Sequence, residues 1–160
     1  MEKLFNSQLL INIQAGAPIV QIISHDTLRV HAETHLCANH TGRILYIWNR
    51  VEGLKQLTDG HDEVINHDLK TLSGVLDWFF REDSAGAESE QDDFDQFDQV
   101  DAPSPQNSIL LIEDPHYELE GVNPELFSKL KLFGQRKSQG GFSDQTLLFT
   151  QPTAQLPIEL

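Results

Sequence analysis

Short apolar runs alternate along the chain with longer stretches in which apolar residues recur every three or four positions. This alternation is typical of strands and helices that follow one another in an α/β domain. The short runs predict four strands, at residues 19–23, 43–48, 109–113 and 146–150. The helical spacing predicts four helices, which cover about residues 3–15, 27–39, 69–80 and 124–133.

The predicted fold is a three-layer α/β domain, with a mostly parallel sheet of about four to five strands flanked by helices. Ile109–Glu113 is expected to be a central strand, because four consecutive apolar residues suit a strand buried on both faces. Residues 49–66 are polar and are expected to be irregular, with at most a short turn between Val51 and Leu57. Asn66 or Asp68 is the expected cap of the third helix.

Charge is distributed unevenly along the chain. The sequence has 25 acidic and 11 basic residues, and no Lys or Arg lies between Arg81 and Lys129. Residues 82–107 combine acid with Ser, Gly and Pro, which predicts an acidic flexible insert in a single domain spanning residues 1–160. We expect no direct binding of nucleic acid, because phosphate contacts require a basic surface.

Nothing in the sequence indicates export or membrane insertion. Cys37 is the single cysteine, so no internal disulfide framework can form. The apolar runs fall short of the roughly 20 residues needed to cross a bilayer, and polar residues at the start exclude a typical leader. A cytoplasmic protein that does not bind membranes is therefore expected.

Three local patterns could carry chemistry. His31 and His35 are four residues apart on a predicted helix and could share a metal ion such as zinc, although Glu33 is not placed as in zinc proteases. No further ligand has a suggestive spacing, so no metal site is favoured and an exposed helix surface is expected. Cys37 could be a nucleophile, but its neighbours Leu36 and Ala38 favour a small buried core residue.

Glu113 and Asp114 close the apolar strand, as carboxylates do where nucleotide-hydrolysing folds hold magnesium and orient water. Such a site also needs a glycine-rich loop with Lys and Ser or Thr to bind phosphate. The first predicted strand is followed instead by residues 24–27, Ser-His-Asp-Thr. Glu113 and Asp114 are therefore expected to be a degenerate remnant without a bound cofactor, and hydrolysis by this domain alone is not expected.

Two segments are candidates for binding a protein partner. One interleaves aromatic and acidic residues and could order on a basic, partly apolar surface. The other is the loop that follows Asp114. The candidate partner-binding residues are Phe94, Asp95, Phe97, Asp98, His116 and Tyr117. A merely solvated insert is the alternative interpretation of the first segment.

Several segments, taken in order, resemble the N-terminal P-loop-like domain of AAA-type ATPases encoded in cyanobacteria, algal plastids and various bacteria. The similar segments are residues 17–30, 44–54, 109–119, 126–132 and 147–160. The resemblance covers about residues 4–57 and 109–160, and the acidic insert is longer than the usual connection in that family.

The resemblance implies a P-loop-like domain that lacks its own phosphate loop and stands before an ATPase module. Residues from about 151 would then begin the linker to that module, to which the binding of ATP and magnesium belongs. The implied partners are another protein or the ATPase module itself, and a homo-oligomer could form through the parent. Two alternatives stay open: a stand-alone acidic interaction or regulatory protein, and a metal-dependent enzyme that uses His31 and His35.

Overall fold

The computed structural model describes residues 2–58, 61–80, 106–115, 124–138 and 145–152. These residues form four helices and six strands. The helices are α1 (Glu2–Gln14), α2 (Thr27–Thr41), α3 (Leu72–Phe79) and α4 (Pro124–Ser138). The strands are β1 (Ile19–Ile23), β2 (Ile44–Asn49), β3 (Gly53–Thr58), β4 (His61–Asn66), β5 (Ser108–Glu113) and β6 (Thr146–Gln151).

All six strands belong to one open sheet, in the order β1-β6-β5-β2-β3-β4. The pairs β1–β6, β6–β5 and β5–β2 are parallel, whereas β2–β3 and β3–β4 are antiparallel. The predicted α/β fold and the central place of β5 are confirmed, since β5 lies between β6 and β2 and its residues 108–112 are fully buried. Four apolar side chains in a row can be buried only where helices cover both faces of the sheet.

Helices cover the two faces of the sheet in separate layers. One apolar cluster joins Leu9 and Ile13 of α1 and Val30 of α2 to Ile109 and Leu111 of β5. The other cluster joins α3 and α4 to the opposite face, through Leu76, Phe79, Leu130 and Phe133 with Leu110 and Ile112. Because strand side chains alternate between faces, β5 contributes odd-numbered residues to the first cluster and even-numbered residues to the second. The structure therefore has the three layers that the sequence predicts.

The segment between β2 and α3 differs from the prediction. It forms the antiparallel strands β3 and β4 instead of an irregular connection, so the sheet has six strands and not four to five. The sequence carries a signal for this hairpin, since Asp59-Gly60 between two strand-length segments is typical of a tight turn. The polar character of β4 hides that signal, because residues 61–64 are all exposed and form no apolar run.

Helix α3 also begins later than predicted. Its cap is Thr71, whose side chain accepts a hydrogen bond from the Gly74 amide. The predicted cap Asn66 instead accepts a hydrogen bond from the Asp68 amide, which makes a local turn that competes with helix formation. Leu69 therefore precedes the helix, and its carbonyl oxygen accepts a hydrogen bond of 2.7 Å from the indole of Trp48.

Most of the predicted acidic insert lies outside the described residues; Gln106 and Asn107 alone are described, as a turn before β5. Within the part of the chain that the structure describes, no helix combines the length and the apolar character needed to cross a membrane.

Candidate functional site

The carboxyl ends of β2 and β5 bring together side chains from three distant parts of the sequence. Side chains alternate along β5, so Glu113 points to the same face as Ile109 and Leu111. Helix α2 covers that face, and Val30 of α2 packs in the same apolar cluster. His31 is the next residue of α2, and its imidazole lies near Glu113, the last residue of β5.

His31 and Glu113 form a hydrogen-bonded ion pair when the imidazole is protonated. His31 Nε2 lies 2.8 Å from Glu113 Oε1, and the two side chains are 25% and 14% exposed. Partial burial makes the contact stronger than a fully solvated surface pair. This contact joins two patterns that the sequence suggests separately, the paired histidines and the carboxylates after the apolar strand.

A cavity of about 530 Å³ lies beside this pair, at the carboxyl ends of β2 and β5. Its lining comes from the end of β2, the following turn and the end of β5: Trp48, Asn49, Arg50, Val51, Glu52, Glu113 and Asp114. The lining thus includes three acidic residues and one arginine. In parallel sheets, the carboxyl ends of the strands are the usual place for ligands.

The turn after β2 is held by its own hydrogen bonds. The side-chain oxygen of Asn49 accepts hydrogen bonds from the amides of Val51 and Glu52, at 3.0 and 2.7 Å. Glu52 forms an ion pair with Lys55 of β3. The hydrogen bond and the positive charge of Lys55 lower the pKa of the Glu52 carboxyl, and the charge of His31 adds a smaller effect in the same direction. Glu52 is therefore a carboxylate near neutral pH.

Asp114 lies on the other wall of the cavity and has an unusual backbone conformation. Its φ angle of 52° is in the left-handed region, which Asp and Asn tolerate better than most residues. Its amide donates a hydrogen bond of 2.9 Å to the Thr150 carbonyl at the end of β6. The carboxyl ends of β5 and β6 are thereby tied together, and the Asp114 side chain is exposed.

The start of α2 is closed by the chain itself. The Asp26 carboxylate caps α2 and accepts a hydrogen bond of 3.1 Å from the Arg29 amide. The Asp26 amide donates in turn to the Ser24 hydroxyl, also at 3.1 Å. In a P-loop protein, free amides at the start of the helix that follows the first strand would bind phosphate. Here a fixed negative charge occupies that position, so the local electrostatics oppose a phosphate.

Comparison with protein families gives a match over almost the whole chain. A family model described as the SpoVK-like AAA ATPase N-terminal domain matches residues 5–160. The chain belongs to this family. Among curated proteins and among solved structures, no match was found.

The predicted resemblance to the N-terminal domain of AAA-type ATPases is therefore confirmed, and the chain is of the accessory-domain type. Within this SpoVK-like domain, the carboxylates of Glu113 and Asp114 lie where the sequence predicts, at the end of a central strand. Their neighbours Asn49, Arg50 and Glu52 are not among the residues predicted from the sequence. They follow the second predicted apolar strand, and parallel strands end at the same edge of a sheet. This position could have predicted that they lie near Glu113 and Asp114.

The two candidate metal ligands have other contacts. His31 Nε2 contacts Glu113, and His35 Nε2 lies 3.3 Å from the side-chain amide of Asn39. Across the described residues, no group of three or more His, Cys, Asp and Glu side chains could hold a metal ion. A metal-dependent activity of His31 and His35 stays a prediction, for which bound zinc in the purified protein is the test.

Cys37 is a buried core residue, 1% exposed, in the cluster between α2 and the sheet. Burial, aided by the negative charge of Glu33, raises the pKa of its thiol to about 11. Such a thiol is almost entirely protonated near neutral pH and is a poor nucleophile.

The candidate partner-binding residues Phe94, Asp95, Phe97, Asp98, His116 and Tyr117 lie outside the described residues. Their role stays a prediction.

Proposed function

We propose that this chain is a non-catalytic accessory domain that recognises a basic segment of a protein partner through the cavity at the ends of β2 and β5. ATP binding and hydrolysis would belong to an ATPase module of the intact parent.

The observation that carries the non-catalytic role is the Asp26 cap of α2. In a P-loop nucleotide-hydrolysing domain, the first strand is followed by amides that are free to bind phosphate. Here the Arg29 amide donates to the Asp26 carboxylate, and the sequence from Ser24 to Thr27 has no glycine and no lysine. The carboxylates of Glu113 and Asp114 would thus have no bound triphosphate to serve.

The lining of the cavity supports recognition of a positively charged side chain. The lining has three acids, Glu52, Glu113 and Asp114, and one base, Arg50. Lys55 already pairs with Glu52 and His31 with Glu113, and Val51 beside them is 78% exposed. An arginine or lysine could place its charge between the carboxylates while its aliphatic part packs on Val51. The hydrogen bond with His31 orients Glu113, so little side-chain freedom would be lost on binding.

Calorimetric titration with ATP and magnesium tests the non-catalytic role. We expect that ATP gives no heat of binding with the purified 160-residue chain and that the chain releases no phosphate from ATP. Tight binding with turnover would disprove the proposal.

A separate titration tests the recognition role. The probe is acetyl-Leu-Arg-Leu-amide, and acetyl-Leu-Gln-Leu-amide is its uncharged counterpart. We expect amide resonances of Asn49–Glu52, Glu113 and Asp114 to shift with the arginine peptide, with a dissociation constant of roughly 1 mM for so small a ligand. The glutamine peptide should give no comparable shifts.

Charge removal makes this titration specific. The double variant Glu113→Gln, Asp114→Asn should weaken binding by about tenfold, because two carboxylates at the cavity are lost. A matched control is Asp77→Asn, Glu125→Gln, which removes the same charge from exposed positions on α3 and α4. Equal effects of the two double variants would reject the cavity as the recognition site.

A further inference from the structure

We propose that β1 is a self-association strand, which pairs antiparallel with β1 of a second copy about a two-fold axis at Gln21. The two sheets would then continue into each other across the interface. This inference concerns the opposite edge of the sheet from the β3–β4 hairpin and does not depend on the recognition role proposed above.

The outer edge of β1 carries backbone groups that β6 does not use. Among the described strands β1 pairs with β6 alone. The Pro18 carbonyl accepts from Leu147, and the Ser24 amide donates to Gln151, so even-numbered residues direct their backbone groups toward β6. In a parallel ladder the alternate residues point the other way. Ile19, Gln21 and Ile23 therefore present their amides and carbonyls to the outer edge.

The two edges of the sheet differ in how they discourage pairing. The β4 edge carries His61, Asp62 and Glu63, and its register with β3 shifts at Leu54. Charges and bulges of this kind keep an edge strand from pairing with another chain. Strand β1 consists of Ile-Val-Gln-Ile-Ile, without a charge, a proline or a shift in register. Ile23 is also 54% exposed, so a partner strand would cover part of its apolar side chain.

The sequence of β1 is complementary to itself in the antiparallel direction. Centred on Gln21, Ile19 would lie opposite the partner's Ile23, and Val20 opposite the partner's Ile22. Every cross-strand pair outside the centre would thus join two β-branched side chains, which pack favourably in sheets.

Gln21 would lie on the two-fold axis, opposite the partner's Gln21, about 5 Å away between Cβ atoms. A charge placed at this position would therefore face the same charge in the second copy.

A strand of five residues buries little surface, so the dimer should be weak. We expect sedimentation equilibrium to show a monomer–dimer equilibrium with a dissociation constant of roughly 10 to 500 µM. A chain that stays monomeric up to about 1 mM would overturn the proposal.

Charge substitution at the axis tests the register. Gln21→Glu should weaken the dimer at least about tenfold at neutral pH, because two like charges would face each other. Gln21→Lys should do the same, whereas an equimolar mixture of the two variants should form a heterodimer at least as readily as the unaltered chain dimerises. Restored pairing in the mixture cannot arise from a fold that either substitution has damaged. Failure of the mixture to associate would reject Gln21 as the axis.

Two further variants complete the test. Gln21→Pro removes an outward amide without removing a hydrogen bond to β6, so it should abolish the dimer and keep the circular dichroism spectrum. Gln8→Glu adds the same charge as Gln21→Glu at an exposed position on α1, and it should leave the dimer unchanged. A dimer that survives Gln21→Pro would show that the interface lies elsewhere.

Discussion

Single residues at the cavity act through contacts that their neighbours in the sequence do not reveal. Glu113 follows four apolar residues and has the sequence context of a magnesium ligand. In the folded chain its carboxylate instead contacts His31. The contact occupies one ligand atom of each suspected metal site, the His31–His35 pair and the Glu113–Asp114 pair. The histidine and the carboxylate therefore have a structural role before any role in binding.

A double-mutant cycle measures that role. His31→Ala and Glu113→Ala should show a coupling of about 0.5–1.5 kcal/mol in the free energy of unfolding, because their hydrogen bond is partly shielded from water. The control pair is His67 and Asp68, which are 3.8 Å apart with side chains 70% and 101% exposed. Urea unfolding should give a coupling near zero for that solvated pair. Equal couplings for both pairs would contradict the structural role of His31.

Cys37 provides a prediction about pH. Its thiol pKa is raised from 9.0 to about 11, mainly by burial, so the folded chain retains the thiol proton at a higher pH than the unfolded chain. The stability that results is fully present below pH 9 and is lost as pH rises toward about 11. Cys37→Ala should lose this contribution to the pH dependence, as measured by urea unfolding at several pH values.

The same thiol should react slowly in the native chain. At pH 8, modification of Cys37 by a thiol reagent such as dithionitrobenzoate should be at least about 100-fold slower than in urea, since both burial and protonation protect it. Rapid modification of the folded protein would contradict the buried position of Cys37.

At the scale of elements, the β3–β4 hairpin determines the shape of the cavity. It fixes the turn that holds Asn49, Arg50 and Glu52, and that turn forms one wall. Gly53 closes the turn with a φ angle of 79°. A Cβ atom at this position would lie 2.3 Å from the Asn66 carbonyl oxygen, so only glycine allows the close approach of β4.

Gly53→Ala should therefore lower the free energy of unfolding by at least about 3 kcal/mol, through strain at positive φ and the backbone clash. Gly42→Ala is the matched control, because Gly42 has a φ angle of 67° but nothing within 4 Å of an added Cβ. That control should cost about 1 kcal/mol, from the strain alone. Similar losses for both variants in urea unfolding would show that the contact with Asn66 has little effect.

At the scale of the whole molecule, the acidic segment concentrates the negative charge of the chain. Residues 82–101 carry nine of the 25 acids and lie outside the described residues. The sequence of this segment predicts a solubility or partner-binding role, and the stability of the domain should not depend on it.

Replacing residues 82–101 with a short Gly-Ser linker tests this prediction. The free energy of unfolding should change by less than about 1 kcal/mol, because loop length affects stability only weakly. If the segment binds a basic partner, retention on immobilised polylysine should fall as well. A large loss of stability would show that the segment packs on the domain.

The sequence by itself determined the elements whose signal is local. The apolar run of β5 requires burial on both faces, and the prediction of a central strand is confirmed. Likewise, Asp26 before Thr27 marks the start of α2, because a capping side chain acts within one helical turn. The family could also be predicted, because the segments that resemble it keep their order along the chain.

Tertiary structure decided what depends on distant pairing. Strand β4 has an exposed, polar sequence and becomes a strand through its hydrogen bonds with β3, which no apolar pattern can report. His31 and Glu113 are 82 residues apart, and they meet only because α2 lies on the face of the sheet to which odd-numbered β5 residues point. Local periodicity specifies which face a side chain takes, whereas the order of strands and the layer of each helix specify what it meets there.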